Sequence, residues 1–223
     1  KTTRPGHRQG NLRGPKPAGA VFVFADYGEQ IDSLKHMYET QRVFRDSFDR
    51  CDQQVRKLLD RSLSEAITGS ASGDQDTAFS QSLNFAVQLS WARFWESLGI
   101  AAAAVLGQGN GEYVAACVAG VFSPKQALSM ICCKESLSGL GVTPDVPYGS
   151  GVTGALCSQE VARPSYWRDL ASAPSRATQA RAALACSGED IFLEIGQGAV
   201  PDILAELYAS GLDLDWRGLY GDA

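Results

Sequence analysis

The chain has 223 residues, of which 44% are hydrophobic, so it can bury a sizeable core in one domain or in one domain with a small appendage. Its formal net charge of −5 at pH 7 argues against general affinity for nucleic acid. No stretch approaches the roughly 20 apolar residues of a membrane span, and the N-terminal residues lack the apolar segment of a signal peptide. We therefore expect a cytoplasmic protein without a membrane partner.

Residues 1–18 differ from the rest of the chain because they are rich in Gly and Pro and carry Lys and Arg without any acidic residue. This composition predicts a solvated basic linker rather than a nucleic-acid-binding arm. His7 lies in this linker and His36 lies in a polar segment before a helix, and they are the only two histidines. We expect both imidazoles to be exposed, which leaves no obvious general base, no zinc site and no cofactor site.

The first predicted element is a buried parallel strand at 20–24, which is a continuous apolar run. Asp26 and Glu29 follow it, and we interpret them as helix-capping residues rather than as an acid/base pair. Apolar residues at steps of three and four then predict an amphipathic helix over 39–59, with Val43 and Phe44 among its core-facing residues. Residues 70–76 form a polar surface loop, and a second helix is predicted over 77–98.

The centre of the chain reads as a strand, a sharp turn and a helix. The apolar run 101–106 leads into Gly107, Gly109 and Gly111, and a helix of small residues follows from Glu112. This is the pattern of a nucleophile elbow, which needs a Ser, Cys or Asp at its apex. Gly109 occupies the apex, so the scaffold of a catalytic turn is present without its reactive side chain. A phosphate-binding loop is disfavoured, since no Gly-Lys-Ser/Thr follows.

The residues at 111–123 read Gly-Glu-Tyr-Val-Ala-Ala-Cys-Val-Ala-Gly-Val-Phe-Ser. This segment closely resembles the acyltransferase domains of modular polyketide synthases, in which the elbow reads Gly-His-Ser-x-Gly-Glu. The resemblance covers about residues 15–223 apart from one deletion. Further matching segments lie at 38–52, 77–81, 166–170, 191–196 and 215–221.

The resemblance assigns five vestigial active-site positions. The acyl-carrying Ser of the family falls on Gly109, the adjacent His falls on Gln108, and the Gln of the oxyanion loop falls on Tyr27. Gln81 lines the active site in relatives, although a simple helix-start role carries equal weight. The family's Arg that pairs with the carboxylate of a malonyl-type unit falls on Lys134. A Lys can pair with a carboxylate but cannot form the bidentate hydrogen bonds that an Arg forms.

A large departure from the family follows the capping box at 123–126, which predicts a helix that stops at Gly139. Soon afterwards, 146–154 resemble a strand that relatives reach only after a ferredoxin-like subdomain and the segment with their catalytic His. We therefore expect a short connection over 139–147 in place of that subdomain. The resemblance implies an α/β fold, with a parallel sheet flanked by helices on both faces, over a domain at 19–210.

The loss of these residues predicts a non-catalytic pseudo-acyltransferase with a structural, adaptor or docking role in a modular polyketide synthase. Its expected partners are the flanking domains, an acyl carrier protein or a trans-acting acyltransferase, and 211–223 begins a post-acyltransferase linker. The alternative is an enzyme of altered chemistry, in which an exposed Glu112, Lys134 or a cysteine handles an acyl thioester. Cys132 and Cys133 diverge on their helix and are predicted to be small core residues.

Overall fold

The computed structural model of the chain describes residues 19–25, 31–68, 76–133, 141–170 and 173–212. These residues form a mixed α/β domain around one five-stranded sheet with the strand order β4-β3-β2-β1-β5. The strands are β1 Gly19–Phe24, β2 Ala101–Gly107, β3 Tyr148–Ser150, β4 Ala155–Cys157 and β5 Phe192–Glu194. The predicted linker at 1–18, the predicted capping residues Asp26 and Glu29, and most of the predicted loop at 70–76 lie outside the described residues.

The sheet departs from the prediction at one edge. Strands β1, β2, β3 and β5 are parallel, but β4 runs antiparallel to β3. Only residues 151–154 separate these two strands, and so short a connection can join only antiparallel neighbours. The α/β class is confirmed, and the expectation of a wholly parallel sheet is wrong at this edge.

Helices cover both faces of the sheet, as predicted. Along β1, Val21 and Val23 face one side and pack with Ala180 and Leu184, whereas Phe22 faces the main core on the other side. No helix in the described ranges is long and apolar enough to cross a membrane. The helices are α1 Ile31–Thr40, α2 Arg42–Leu59, α3 Leu63–Thr68, α4 Thr77–Ser97, α5 Gly111–Val118, α6 Pro124–Cys133, α7 Pro164–Asp169, α8 Ala177–Cys186 and α9 Val200–Ala209.

The amphipathic helix predicted over 39–59 is confirmed as α2, which begins three residues later than predicted, at Arg42. Gln41 has an extended backbone, with φ −106° and ψ 105°, and separates α1 from α2. Phe44 lies in the core as predicted and contacts Trp91 of α4 edge to face, with ring centroids 5.6 Å apart. Val43 is 41% exposed, so its assignment to the core-facing stripe is wrong. The helix predicted over 77–98 is confirmed as α4. Asp76 caps the N-terminus of this helix, because its side chain accepts a hydrogen bond from the Ala78 backbone N–H.

The connection from α6 to β3 is short, as the sequence predicts. Residues 141–147 form neither helix nor strand. Two backbone hydrogen bonds hold them to the segment that follows α5, from Val142 to the Val121 carbonyl at 3.0 Å and from Asp145 to the Ala119 carbonyl at 2.8 Å. Residues 134–147 cannot accommodate a further subdomain. Residues 134–140, which include the predicted helix stop at Gly139, lie outside the described residues.

Candidate functional site

The strand–turn–helix predicted around Gly109 is confirmed. Strand β2 ends at Gly107, α5 begins at Gly111, and Gly109 lies between them with φ +54°. This left-handed conformation strains a residue that has a Cβ atom, so glycine relaxes the apex. Backbone hydrogen bonds close the turn, from Gly111 to the Gln108 carbonyl at 2.9 Å and from Glu112 to the Gly109 carbonyl at 3.2 Å.

Neighbouring strands fix the position of this turn. The Gln108 backbone N–H donates to the Phe24 carbonyl at 2.9 Å, and the Gly151 N–H donates to the Gly107 carbonyl at 2.9 Å. A Cβ atom added to Gly111 would overlap the backbone carbonyl of Phe24. Glycine at 111 is therefore required for the close approach of α5 to the end of β1.

The structure places three of the five vestigial positions. Gly109 is exposed at the apex, and Gln108 is half-buried beside it. Gln81 is half-buried in the second turn of α4, and its role in a site stays a prediction. Tyr27 and Lys134 lie outside the described residues.

Glu112 is fully buried, which corrects the expectation of an exposed carboxylate that could handle a thioester. The Tyr148 hydroxyl donates to Oε2 at 2.5 Å and lies 3.1 Å from the Glu112 carbonyl oxygen. Ser150 Oγ and the Val152 N–H each donate to Oε1 at 3.3 Å. The carboxyl group therefore ties the first turn of α5 to β3 and to the turn after it.

A second tyrosine extends this network to α7. Tyr166 Oη and Ser150 Oγ share a hydrogen bond of 2.5 Å. Burial raises the pKa of Glu112 to about 7, and hydrogen bonds from Tyr148, Tyr166 and backbone N–H groups oppose part of that increase. Burial, together with the nearby Glu112 charge, also raises the pKa of Tyr148 well above its ordinary value. This arrangement positions the elbow helix and presents no group to solvent.

The described cysteines do not form a reactive centre at the elbow. Cys51 and Cys117 are buried, and burial raises the pKa of Cys51 to about 12 and that of Cys117 well above its ordinary value. Cys132 packs against the core, which confirms its prediction, while the side chain of Cys133 lies outside the described part of the chain. Cys186 is exposed at the end of α8. Across the described ranges, no group of three or more His, Cys, Asp or Glu residues could hold a metal ion.

The sequence profile of the acyl transferase domain family matches residues 21–140, which include the elbow and the buried Glu112. The match spans more than half of the chain, so the protein belongs to this family. The resemblance to polyketide synthase acyltransferase domains is thereby confirmed.

Known proteins and structures agree with this assignment. The chain is 31% identical over 125 residues to a phenolphthiocerol/phthiocerol polyketide synthase of Mycobacterium tuberculosis, a match that covers 55% of this chain but only 8% of that protein. The fold is similar to the acyl transferase domain of ZmaA, with a TM-score of 0.77, 17% identity, and coverage of 92% of this chain and 78% of that one. The acyltransferase domain from the second module of the salinomycin polyketide synthase gives a TM-score of 0.74 at 18% identity, covering 92% and 77%.

Proposed function

We propose that this chain is a non-catalytic acyltransferase domain that serves as a structural or docking element of a multidomain polyketide synthase. The observation that carries the proposal is the apex of the elbow, where the backbone of a catalytic turn is kept but Gly109 supplies no nucleophile. Without a hydroxyl or thiol at this point, no acyl-enzyme can form there.

The lack of a base supports the same conclusion. A Ser nucleophile depends on a His partner, and removing one member of such a unit lowers the rate by roughly 10⁴ to 10⁶. The chain has only His7 and His36, and His36 is exposed on α1. In contrast, the hydrogen bonds around Glu112 and the close contact at Gly111 keep the elbow helix in position. The retained packing favours a role for the surface of the domain.

The relatives suggest the setting in which that surface acts. They are polyketide synthases, and the match covers only 8% of the length of the mycobacterial one. The proposed partners are therefore flanking domains, an acyl carrier protein or a trans-acting acyltransferase, in the cytoplasm. The alternative enzyme is weakened by the full burial of Glu112, because a thioester cannot reach that carboxyl group without opening the network around it.

The proposal is tested by incubating the protein with malonyl-CoA, methylmalonyl-CoA and an acylated carrier protein and following its intact mass. We expect no covalent adduct and no faster loss of thioester than in buffer, while an acyltransferase domain with a Ser elbow, run in parallel, becomes acylated. A stoichiometric adduct or an accelerated loss of thioester overturns the proposal in favour of an enzyme.

A further inference from the structure

A groove lies on the outer surface of the domain between α2, α4 and α6, and we call it the α2–α4–α6 groove. Its volume is about 620 Å³. Cys51, Leu89 and Leu128 form a buried apolar floor, and Val43, which is 41% exposed, lies at the α2 side. The other lining residues are Asp46, Ser47, Arg50, Gln53, Gln54, Arg93, Pro124 and Lys125.

The groove is locally cationic although the whole chain carries a formal charge of −5. Arg50, Arg93 and Lys125 line it from three different helices, against Asp46 as the single carboxylate among the lining residues. Asp46 lies 3.5 Å from Arg42, which offsets its charge. Glu96, outside the groove, accepts a hydrogen bond from Arg93 at 2.6 Å.

Two of these cations are exposed and have no ion-pair partner within the described part of the chain, namely Arg50 and Lys125. They lie on opposite helices of the groove, α2 and α6, above the apolar floor. An occupant that pairs with both brings negative charge to each side of the groove, and the apolar side chain open to it is that of Val43, which is 41% exposed.

No residue that lines the groove belongs to the elbow or to α5. Helix α5 has 8 residues and is about 12 Å long. Helix α6, which supplies Pro124 and Lys125 to the groove, begins after α5 has ended at Val118. A partner bound in the groove does not need the elbow to be open.

We propose that the α2–α4–α6 groove docks an acidic amphipathic helix of a partner protein. The occupant places apolar side chains at i, i+3 and i+4 against Val43 and over the floor, and it directs carboxylates towards Arg50 and Lys125. A helix fits the groove better than a small molecule does, because nine of the twelve lining residues are exposed or half-buried and small-molecule sites enclose most of their ligand. The inference rests on the proposed function only in assuming that the domain acts through its surface.

Peptide selection tests which side chains an occupant of the groove must carry. A displayed library of random peptides in a helical framework is selected on the immobilised protein, with counter-selection on the double variant Arg50→Glu/Lys125→Glu. We expect recovered peptides to be enriched in Asp and Glu with apolar residues at helical spacing. Their affinity is expected to fall about tenfold or more in the double variant and to weaken as salt is raised.

The matched control is Lys35→Glu/Arg168→Glu, which makes the same change in net charge at exposed positions on α1 and α7. This variant is expected to bind the selected peptides as the parent does. Recovery of neutral or basic peptides, or equal binding by both double variants, overturns the proposal. A concentration-dependent dimer of the parent that does not form with Arg50→Glu/Lys125→Glu also overturns the proposal, since the occupant is then a second copy of the chain. None of these outcomes involves thioester chemistry, so this inference and the proposed loss of catalysis fail independently.

Discussion

The Tyr148 hydroxyl donates to the Glu112 carboxylate at 2.5 Å, which joins β3 to the first turn of the helix that follows the elbow. Both residues are fully buried, and the hydrogen bond is made between positions that lie 36 residues apart in the chain. A carboxyl group in this environment is harder to ionise than one in water, and its pKa rises to about 7. The stability of the fold is therefore linked to pH through Glu112.

We expect the domain to become less stable as the pH rises from about 5 to about 8, because the folded state holds a proton on Glu112 that the unfolded state has released. The pKa is raised from 4.5 to about 7, so the stabilisation is complete below the lower value and is lost as the pH passes the upper one. The loss should be on the order of 2 kcal/mol. Urea unfolding across this range measures it.

Glu112→Gln keeps the shape and an acceptor for Tyr148 but cannot ionise, so most of this pH dependence should disappear. The control is Glu160→Gln, since Glu160 is exposed and its pKa is lowered, mainly by a hydrogen bond from the Ser158 N–H. Glu160 therefore titrates below the tested pH range, and Glu160→Gln should show the same dependence of the unfolding free energy on pH as the parent. The same slope in Glu112→Gln and in the parent contradicts the assignment to Glu112.

A methyl group at position 111 should be strongly destabilising. In Gly111→Ala the new Cβ overlaps the backbone carbonyl of Phe24, which cannot rotate away as a side chain can. We expect a loss of about 3 kcal/mol or more in the free energy of unfolding. Gly188→Ala is the control, because Gly188 has φ +105° but no atom lies within 4 Å of where its methyl group would be, so only backbone strain is added. Equal losses in the two variants would mean that close approach to β1 is not what requires glycine.

Asp52 should be the most important acidic residue of α2 for stability. It is 5% exposed, its Oδ1 accepts from the Leu63 N–H at 2.5 Å at the start of α3, and its Oδ2 accepts from Arg56 Nε at 2.8 Å. Asp52→Ala leaves the Leu63 N–H without this acceptor and should cost about 3 kcal/mol by chemical denaturation. Asp46→Ala on the same helix removes only an exposed ion pair and should change stability by less than about 1 kcal/mol.

Local patterns predicted the elements whose causes are local. The apolar run before Gly107 predicted β2, and the Ser123 and Gln126 pair predicted the start of α6. The capping box forms as expected, with the Ser123 N–H donating to Gln126 Oε1 at 2.9 Å. The extended backbone of Gln41 was not predicted, and the predicted helix began three residues early, because neither Pro nor Gly marks the boundary between α1 and α2.

Features that depend on distant residues could not be predicted in the same way. An acidic residue in the first turn of a helix usually faces solvent and complements the helix dipole, so Glu112 was expected to be exposed. Its burial depends on Tyr148, Ser150 and Tyr166, which the fold brings to it from β3 and α7. Likewise, the antiparallel β4 follows from a turn of only four residues, which the predicted single strand over 146–154 did not resolve.

The last prediction is that one substitution at the apex does not restore acyl transfer. Gly109→Ser should fold, with a loss of about 1 kcal/mol, because φ at this position is +54° and a Cβ atom is strained there. The new hydroxyl would lie at the apex of an elbow, but a Ser hydroxyl is a poor nucleophile until a base within hydrogen-bonding distance takes its proton. Gln108 beside it carries an amide, which does not titrate, and His36 is on α1.

We therefore expect no acyl-enzyme above background when Gly109→Ser is incubated with malonyl-CoA or methylmalonyl-CoA and measured by intact mass. Gly109→Ala is the matched control, since it adds the same Cβ strain without a hydroxyl, and the two variants should unfold at the same urea concentration. Acylation of Gly109→Ser but not of Gly109→Ala would show that a base and an oxyanion hole still act at the elbow. That result would contradict the proposed loss of catalysis at its central point, because the missing hydroxyl would then be the only defect.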